Sequence, residues 1–169
     1  MTHINKTILV KSLLLLTLLL SVETTLADPP PKYPFVSYDE GLAIARKSGK
    51  KIFIYYGRYG CGYCDKTNKE SFSKKEVRER YTKHYSLIYV DAESGNRLTL
   101  PNGEQITEMQ FGPRINALVT PVFVFMEPDG KEILKIPGFQ TAKNLLELDQ
   151  FISNNHYQSK SLNRYLAEK

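Results

Sequence analysis

The chain has 169 residues, 24% of them charged, and a formal net charge of +5. That length fits one domain able to bury an adequate core. Its lysines and arginines are scattered among acids and do not form the basic stripe that nucleic acid requires. The two cysteines exclude a small fold stapled by several distant disulfides.

Residues 1–27 read as a secretory signal peptide. Lys6 and Lys11 supply the positive start, Leu13–Leu20 is apolar apart from Thr17, and Thr25-Leu26-Ala27 places small residues before a cleavage point. The apolar run is shorter than the roughly 20 residues that span a bilayer comfortably; an uncleaved anchor is the competing reading. Loss of this segment leaves the chain mildly basic. Residues 28–36, opening with Asp28-Pro29-Pro30-Pro31, read as a spacer, and 37–169 as one domain.

Ser37-Tyr38-Asp39-Glu40 has the pattern of a capping box, and the helix it predicts ends at Gly49. The continuous apolar run Ile52–Tyr56 predicts a strand buried on both faces. Gly57–Gly60 is a turn, after which Cys61 opens a second helix. Ser73-Lys74-Lys75-Glu76 suggests another capping box, and the charge run Lys74–Lys83 a solvated helix face with Val77 and Tyr81 turned inward. Leu87–Val90 is the next strand. Residues 94–106 read as an inserted hairpin turning at Asn102-Gly103. A short helix starts at Thr107 and is interrupted or re-aimed at Gly112-Pro113. Val122–Phe125 is a buried strand, Glu127–Gly130 a reverse turn, and Ile133–Ile136 the last strand. A closing helix spans Thr141–Ile152, and a C-terminal extension, about 157–169, adds one short helix. The β-α-β start followed by a final hairpin predicts an α/β sandwich of three layers, with a central mixed sheet flanked by helices and an inserted β-hairpin.

Both cysteines fall in the tetrapeptide Cys61-Gly62-Tyr63-Cys64. A four-residue disulfide loop removes only about 2 kcal/mol of chain entropy, so the pair is better suited to redox exchange than to holding the fold. A thiol at a helix N-terminus faces unpaired N–H groups and the positive end of the dipole, which favours the thiolate. Cys61 is therefore the expected attacking thiol, and Cys64, one turn deeper and more buried, the resolving one. Arg58 and Lys66 would add positive potential, with Asp65 opposing it. Gly62 would permit close approach of a partner, and Tyr59 and Tyr63 would form an apolar rim for it; Tyr55 and Tyr56 belong in the sheet. His84 and His156 read as surface or satisfied histidines, too remote in sequence to complete a zinc site. No metal and no cofactor is expected, although two thiolates suit Cu(I). Pro121 is the one further candidate: X-Pro is the common site of cis peptides, and a cis bond there would expose the backbone of Val119 and Thr120 to an extended substrate.

With Cys61-Gly62-Tyr63-Cys64, Thr120-Pro121 before Val122–Phe125, Asp129-Gly130-Lys131 and Gly138, the chain resembles the thioredoxin superfamily. Phe72, Val77, Val90-Asp91, the Asn102-Gly103 hairpin and the tail around Tyr157, Leu162 and Tyr165-Leu166 are similar to SoxW-type exported thioredoxins. The resemblance implies a thioredoxin-like fold, Cys61 as nucleophile, Cys64 as resolving thiol and Pro121 as a cis proline beside them. It also implies a periplasmic, monomeric reductase of protein or small-molecule disulfides, recharged by a membrane thiol electron donor. A disulfide oxidase or isomerase using the same residues is the first alternative, and the Gly-Tyr dipeptide is similar to that of bacterial isomerases. A non-enzymatic chaperone or Cu(I)-binding module is the second. Two departures stand out: Tyr55 occupies the place of the buried Asp usual in thioredoxins, and Gly60 that of the Trp before the first cysteine.

Overall fold

The computed structural model describes residues 29–169; the expected signal peptide, 1–27, lies outside them. The order of elements is α1 (Tyr38–Ser48), β1 (Lys51–Gly57), α2 (Gly62–Thr67), a π-helical segment (Asn68–Phe72), α3 (Lys75–His84), β2 (Tyr85–Asp91), β3 (Arg97–Thr99), β4 (Gln105–Thr107), α4 (Glu108–Arg114), β5 (Val122–Met126), β6 (Glu132–Pro137), α5 (Ala142–Ser153), a 3-10 turn (His156–Gln158) and α6 (Leu162–Ala167). Strands β2-β1-β5-β6 form the central sheet, and β3-β4 a separate ribbon. β1 pairs parallel to β2 and antiparallel to β5, and β5 pairs antiparallel to β6. This is the thioredoxin-like α/β layout expected from the sequence. Among the described residues no helix is long and apolar enough to cross a membrane.

Successive side chains of a strand point to opposite faces, so the unbroken apolar run of β1 feeds two cores. Phe53 and Tyr55 face α2, α3 and α5, joining Phe72, Tyr81, Phe123, Phe125, Leu145 and Phe151. Ile52, Ile54 and Tyr56 face α1 and α4, joining Leu42, Ile88, Val124 and Phe111. One face is mostly aromatic and the other mostly aliphatic. The aromatic face is tightly cross-braced: Phe53 lies edge-on to Tyr81 at 4.8 Å and stacks on Phe123 at 5.8 Å between ring centroids.

Several local expectations need correction. The described part of the expected spacer, 29–36, packs on the domain: Val36 pairs with β2 through Leu87 O and Tyr89 N, and the Tyr33 hydroxyl donates to Phe72 O at 2.9 Å. This segment covers the free edge of β2, where unpaired strand groups would otherwise be presented. Ser37 does stand at the N-cap of α1, but its side chain makes no capping bond. The backbone pairing of Val36 fixes the chain's entry into the helix instead. The second capping box does not form. Ser73 closes the π-helical segment, its hydroxyl donating to Lys69 O at 2.6 Å, and α3 starts only after Lys74.

The inserted ribbon turns differently from a two-residue Asn-Gly hairpin. Leu100 and Glu104 pair, Gly103 N donates to Leu100 O, and Pro101 and Asn102 are the central residues. Gly103 follows them with φ +85°, the three-residue loop in which glycine supplies the left-handed position. Leu98 and Ile106 of the ribbon are buried on the aliphatic face. α4 runs through Gly112-Pro113 to Arg114 and is not interrupted there. Proline removes only one helical donor so close to the end, and Ile115 N still bonds Phe111 O. The Thr107/Gln110 capping box holds its start.

Candidate active site

β1 ends at Gly57, and Gly60, with φ +65°, lets the chain turn sharply into α2. Cys61 is the N-cap residue of α2, and its sulfur accepts from Cys64 N at 3.1 Å. The helical turn brings Cys64 back under it, and the two form a disulfide with Cα atoms 5.2 Å apart. Both cysteines are only 5% exposed. Cys64 is therefore not more buried than Cys61, contrary to expectation, because the loop before β5 closes over Cys61. Thr120 is the covering residue: its hydroxyl lies 3.3 Å and its carbonyl oxygen 3.4 Å from Cys61 Sγ. The Thr120–Pro121 peptide bond is cis.

The same sulfur thus faces two donors, the Cys64 N–H and the Thr120 O–H. Hydrogen bonds to a charged form favour that form, so after reduction this arrangement stabilises a thiolate at Cys61. The Thr120 carbonyl adds an acceptor for a thiol proton, which the disulfide lacks.

The residues expected at the site converge, with different exposures. Cys61, Gly62, Tyr63, Val119 and Thr120 line one groove of about 490 Å³, together with Tyr56, Arg58, Gly60, Ala117 and Leu118. Pro121 is buried beneath it. Tyr63 and Val119 are exposed at the rim, whereas Tyr59, expected beside Tyr63, is exposed but does not line this groove. Gly62 has no heavy atom within 4 Å of the place a Cβ would take, so the fold itself does not demand glycine there. Arg58 is ion-paired with Glu93 at 3.2 Å, and Lys66 lies over the Phe139 ring at 4.5 Å. Both cations thus already have partners, and Arg58 lines the same groove as Cys61. Among the described residues no group of three or more His, Cys, Asp or Glu is placed to hold a metal ion. His84 bonds Asp149 at 2.7 Å, and His156 stacks on Tyr165, as befits satisfied histidines.

Three participants were not singled out from sequence. Leu118, 95% exposed, stands beside the groove; an apolar residue in a loop carries no periodic signal. Asn68 accepts from the Tyr55 hydroxyl at 3.1 Å. Its position four residues after Cys64, on one helix face, is the signal that would have found it. Tyr89 joins Tyr55, Asn68 and Cys64 in lining a second cleft of about 670 Å³, which shares Arg58 and Gly60 with the groove. Burial raises the Tyr55 phenol well above its ordinary pKa, and nearby Tyr89 and Asp65 push in the same direction. This phenol stays neutral at physiological pH.

A family model described as a thioredoxin-like domain matches residues 38–152. Among solved structures, a thioredoxin-fold protein from Helicobacter pylori superposes with a TM-score of 0.62 at 23% identity, covering 72% of this chain and 84% of that one. A putative disulphide-isomerase from Bacteroides thetaiotaomicron gives 0.58 at 18% identity, covering 76% and 94%. At these identities the likeness is one of fold. Anterior gradient protein 3 of Mus musculus is 27% identical over 75 residues, 44% of this chain and 46% of its own length. The matches span less than half the length of the curated relatives.

Proposed function

The chain belongs to the thioredoxin-like domain family, and from that premise we propose that it is a thiol–disulfide oxidoreductase working through the Cys61/Cys64 pair. The observation that carries this reading is the disulfide at the N-cap of α2, with Thr120 against the sulfur of Cys61. In the reduced enzyme the Cys61 thiolate attacks a substrate disulfide, forming a mixed disulfide and releasing one substrate thiolate. Cys64 then attacks Cys61 Sγ, closing the enzyme disulfide and releasing the second thiolate. The two electrons given to the substrate come from the enzyme dithiol.

Polypeptide substrates fit the groove best, and reduction is the direction taken first. The groove rim is formed by Tyr63, Leu118 and Val119, all exposed and apolar in body, and the cation that lines it, Arg58, is already paired. Such a surface suits an extended peptide flanking a cysteine, lying along Val119 and Thr120, better than a small anionic disulfide. Export to the periplasm as a monomer, reduction there by a membrane thiol carrier, and kinship with SoxW-type thioredoxins complete the reading; the leader-like residues 1–27 and the tail motif support them. Reduction of insulin by the domain 29–169, followed by turbidity, tests the activity. Turnover is expected, and its loss in Cys61→Ser. Undiminished turnover in that variant would overturn the assignment.

A disulfide isomerase or oxidase is the second reading, favoured by the Gly62-Tyr63 dipeptide and by the likeness in fold to the putative disulphide-isomerase from Bacteroides thetaiotaomicron. The reduction potential separates the two. A value near that of thioredoxin, about −270 mV, supports the reductase, and one between about −180 and −120 mV the alternative.

A further inference from the structure

We propose that Tyr55 is a positioning residue for the resolving thiol, acting through Asn68 and the Cys64 carbonyl to hold Cys64 in line with Cys61 during the second half of the exchange. The inference rests on the oxidoreductase reading and assigns a role at the same site to residues outside the cysteine motif.

The Tyr55 hydroxyl lies 3.1 Å from Asn68 Oδ1 and 3.4 Å from Cys64 O. Asn68 N in turn donates to the carbonyls of Cys64 and Asp65, at the point where α2 passes into the π-helical segment. The Cys64 carbonyl therefore sits between a main-chain donor of its own helix and a phenol of the central strand. That phenol has little freedom. Its ring stacks on Phe72 at 5.7 Å and meets Phe123 and Tyr89 edge-on at 5.0 and 5.4 Å. The next residue, Tyr56, pairs with Val122, the first residue after Pro121. One strand thus fixes both the loop that covers Cys61 and the turn that carries Cys64.

The chemistry makes this useful at one step only. Cys61 attack needs nothing from Tyr55, since its donors are Cys64 N and Thr120 Oγ1. Once a mixed disulfide has formed on Cys61, the Cys64 thiol loses its proton and its sulfur attacks Cys61 Sγ. A Cys61–Cys64 bond forms, the bond to the substrate sulfur breaks, and the substrate leaves as a thiolate. A neutral buried phenol donates hydrogen bonds and does not take that proton. The proton passes to solvent through the cleft of about 670 Å³ that Cys64 lines with Tyr55 and Asn68.

Steady-state reduction of a peptide disulfide by wild type, Tyr55→Phe, Asn68→Ala and the double variant tests the proposal. kcat/KM reports Cys61 attack, and kcat falls once resolution limits. We expect kcat to fall about three- to tenfold in Tyr55→Phe with kcat/KM unchanged, and trapped mixed disulfide to accumulate. Asn68→Ala, a half-buried helix position with little folding risk, should do the same, and the double variant should be no slower than either single one. Unchanged kcat in both single variants, or an equal fall in kcat and kcat/KM, overturns the positioning role. A wild-type protein with no exchange at all would instead overturn the parent reading.

Discussion

Cys61 Sγ receives the Cys64 N–H at 3.1 Å and the Thr120 O–H at 3.3 Å. The first donor comes with the helix, but the second depends on one hydroxyl. A hydrogen bond to a charged group is worth about 1.5 kcal/mol or more, and about 1.4 kcal/mol equals one pKa unit. Thr120→Val keeps the shape and removes the donor. Losing that donor disfavours the Cys61 thiolate, so alkylation of the reduced protein by iodoacetamide in mildly acidic buffer should slow, by about tenfold at most. An unchanged pH profile of alkylation would show that the helix turn alone sets the thiolate. The cysteine pair was legible in the sequence because chemistry restricts which residues do its job; the cis bond at Thr120-Pro121 followed only from the family resemblance, since the residues alone fit an ordinary trans proline better. The covering of Cys61 was not legible, because it arises where two segments 59 residues apart meet.

At the level of elements, propensity and packing compete most openly at Gly112. In an exposed helix, replacing glycine by alanine gains about 1 kcal/mol. Here a Cβ would lie 2.3 Å from the Tyr56 hydroxyl, which stands on buried β1. Overpacking of that kind costs about 1–3 kcal/mol, and packing wins. Gly112→Ala should lower the unfolding free energy in urea by up to about 2 kcal/mol; a rise would show that Tyr56 moves aside freely. The same competition explains the misread helix start: the pattern Ser73-x-x-Glu76 is a sound cap signal, but Ser73 is already committed to the preceding π-helical segment. Thr107, with no such prior commitment, forms the box its sequence advertises.

Taken as a whole molecule, the sheet separates an aromatic core from an aliphatic one, and both contain phenols: Tyr55, Tyr81 and Tyr85 on the aromatic side, Tyr38 on the aliphatic one. Burial raises Tyr38 to about 12, and raises Tyr33, Tyr55, Tyr81 and Tyr85 as well. In the unfolded chain tyrosine titrates near pH 10. Below that value both states hold the proton and the full stabilisation is present. Above it the unfolded chain releases protons that the folded one retains, so stability falls with pH. Each such tyrosine removes about 1.4 kcal/mol per pH unit until its folded-state pKa is passed. The thermal midpoint should therefore drop steeply between about pH 10 and pH 12, and Tyr38→Phe should flatten the slope. A flat profile over that range would contradict the burial-driven shifts.

By itself the sequence determined the order of elements, the buried central strands, the redox dithiol and its helix. These follow from hydrophobic period, turn residues and cysteine spacing, all local properties. Only the tertiary structure decided that Thr120 screens Cys61, that Tyr55 reaches Asn68 behind Cys64, that Val36 closes the edge of β2 and that Asp149 is fully buried against His84. Each of these is a contact between elements distant along the chain. Its partner is selected by how the two cores pack, and no local pattern of residues encodes that choice.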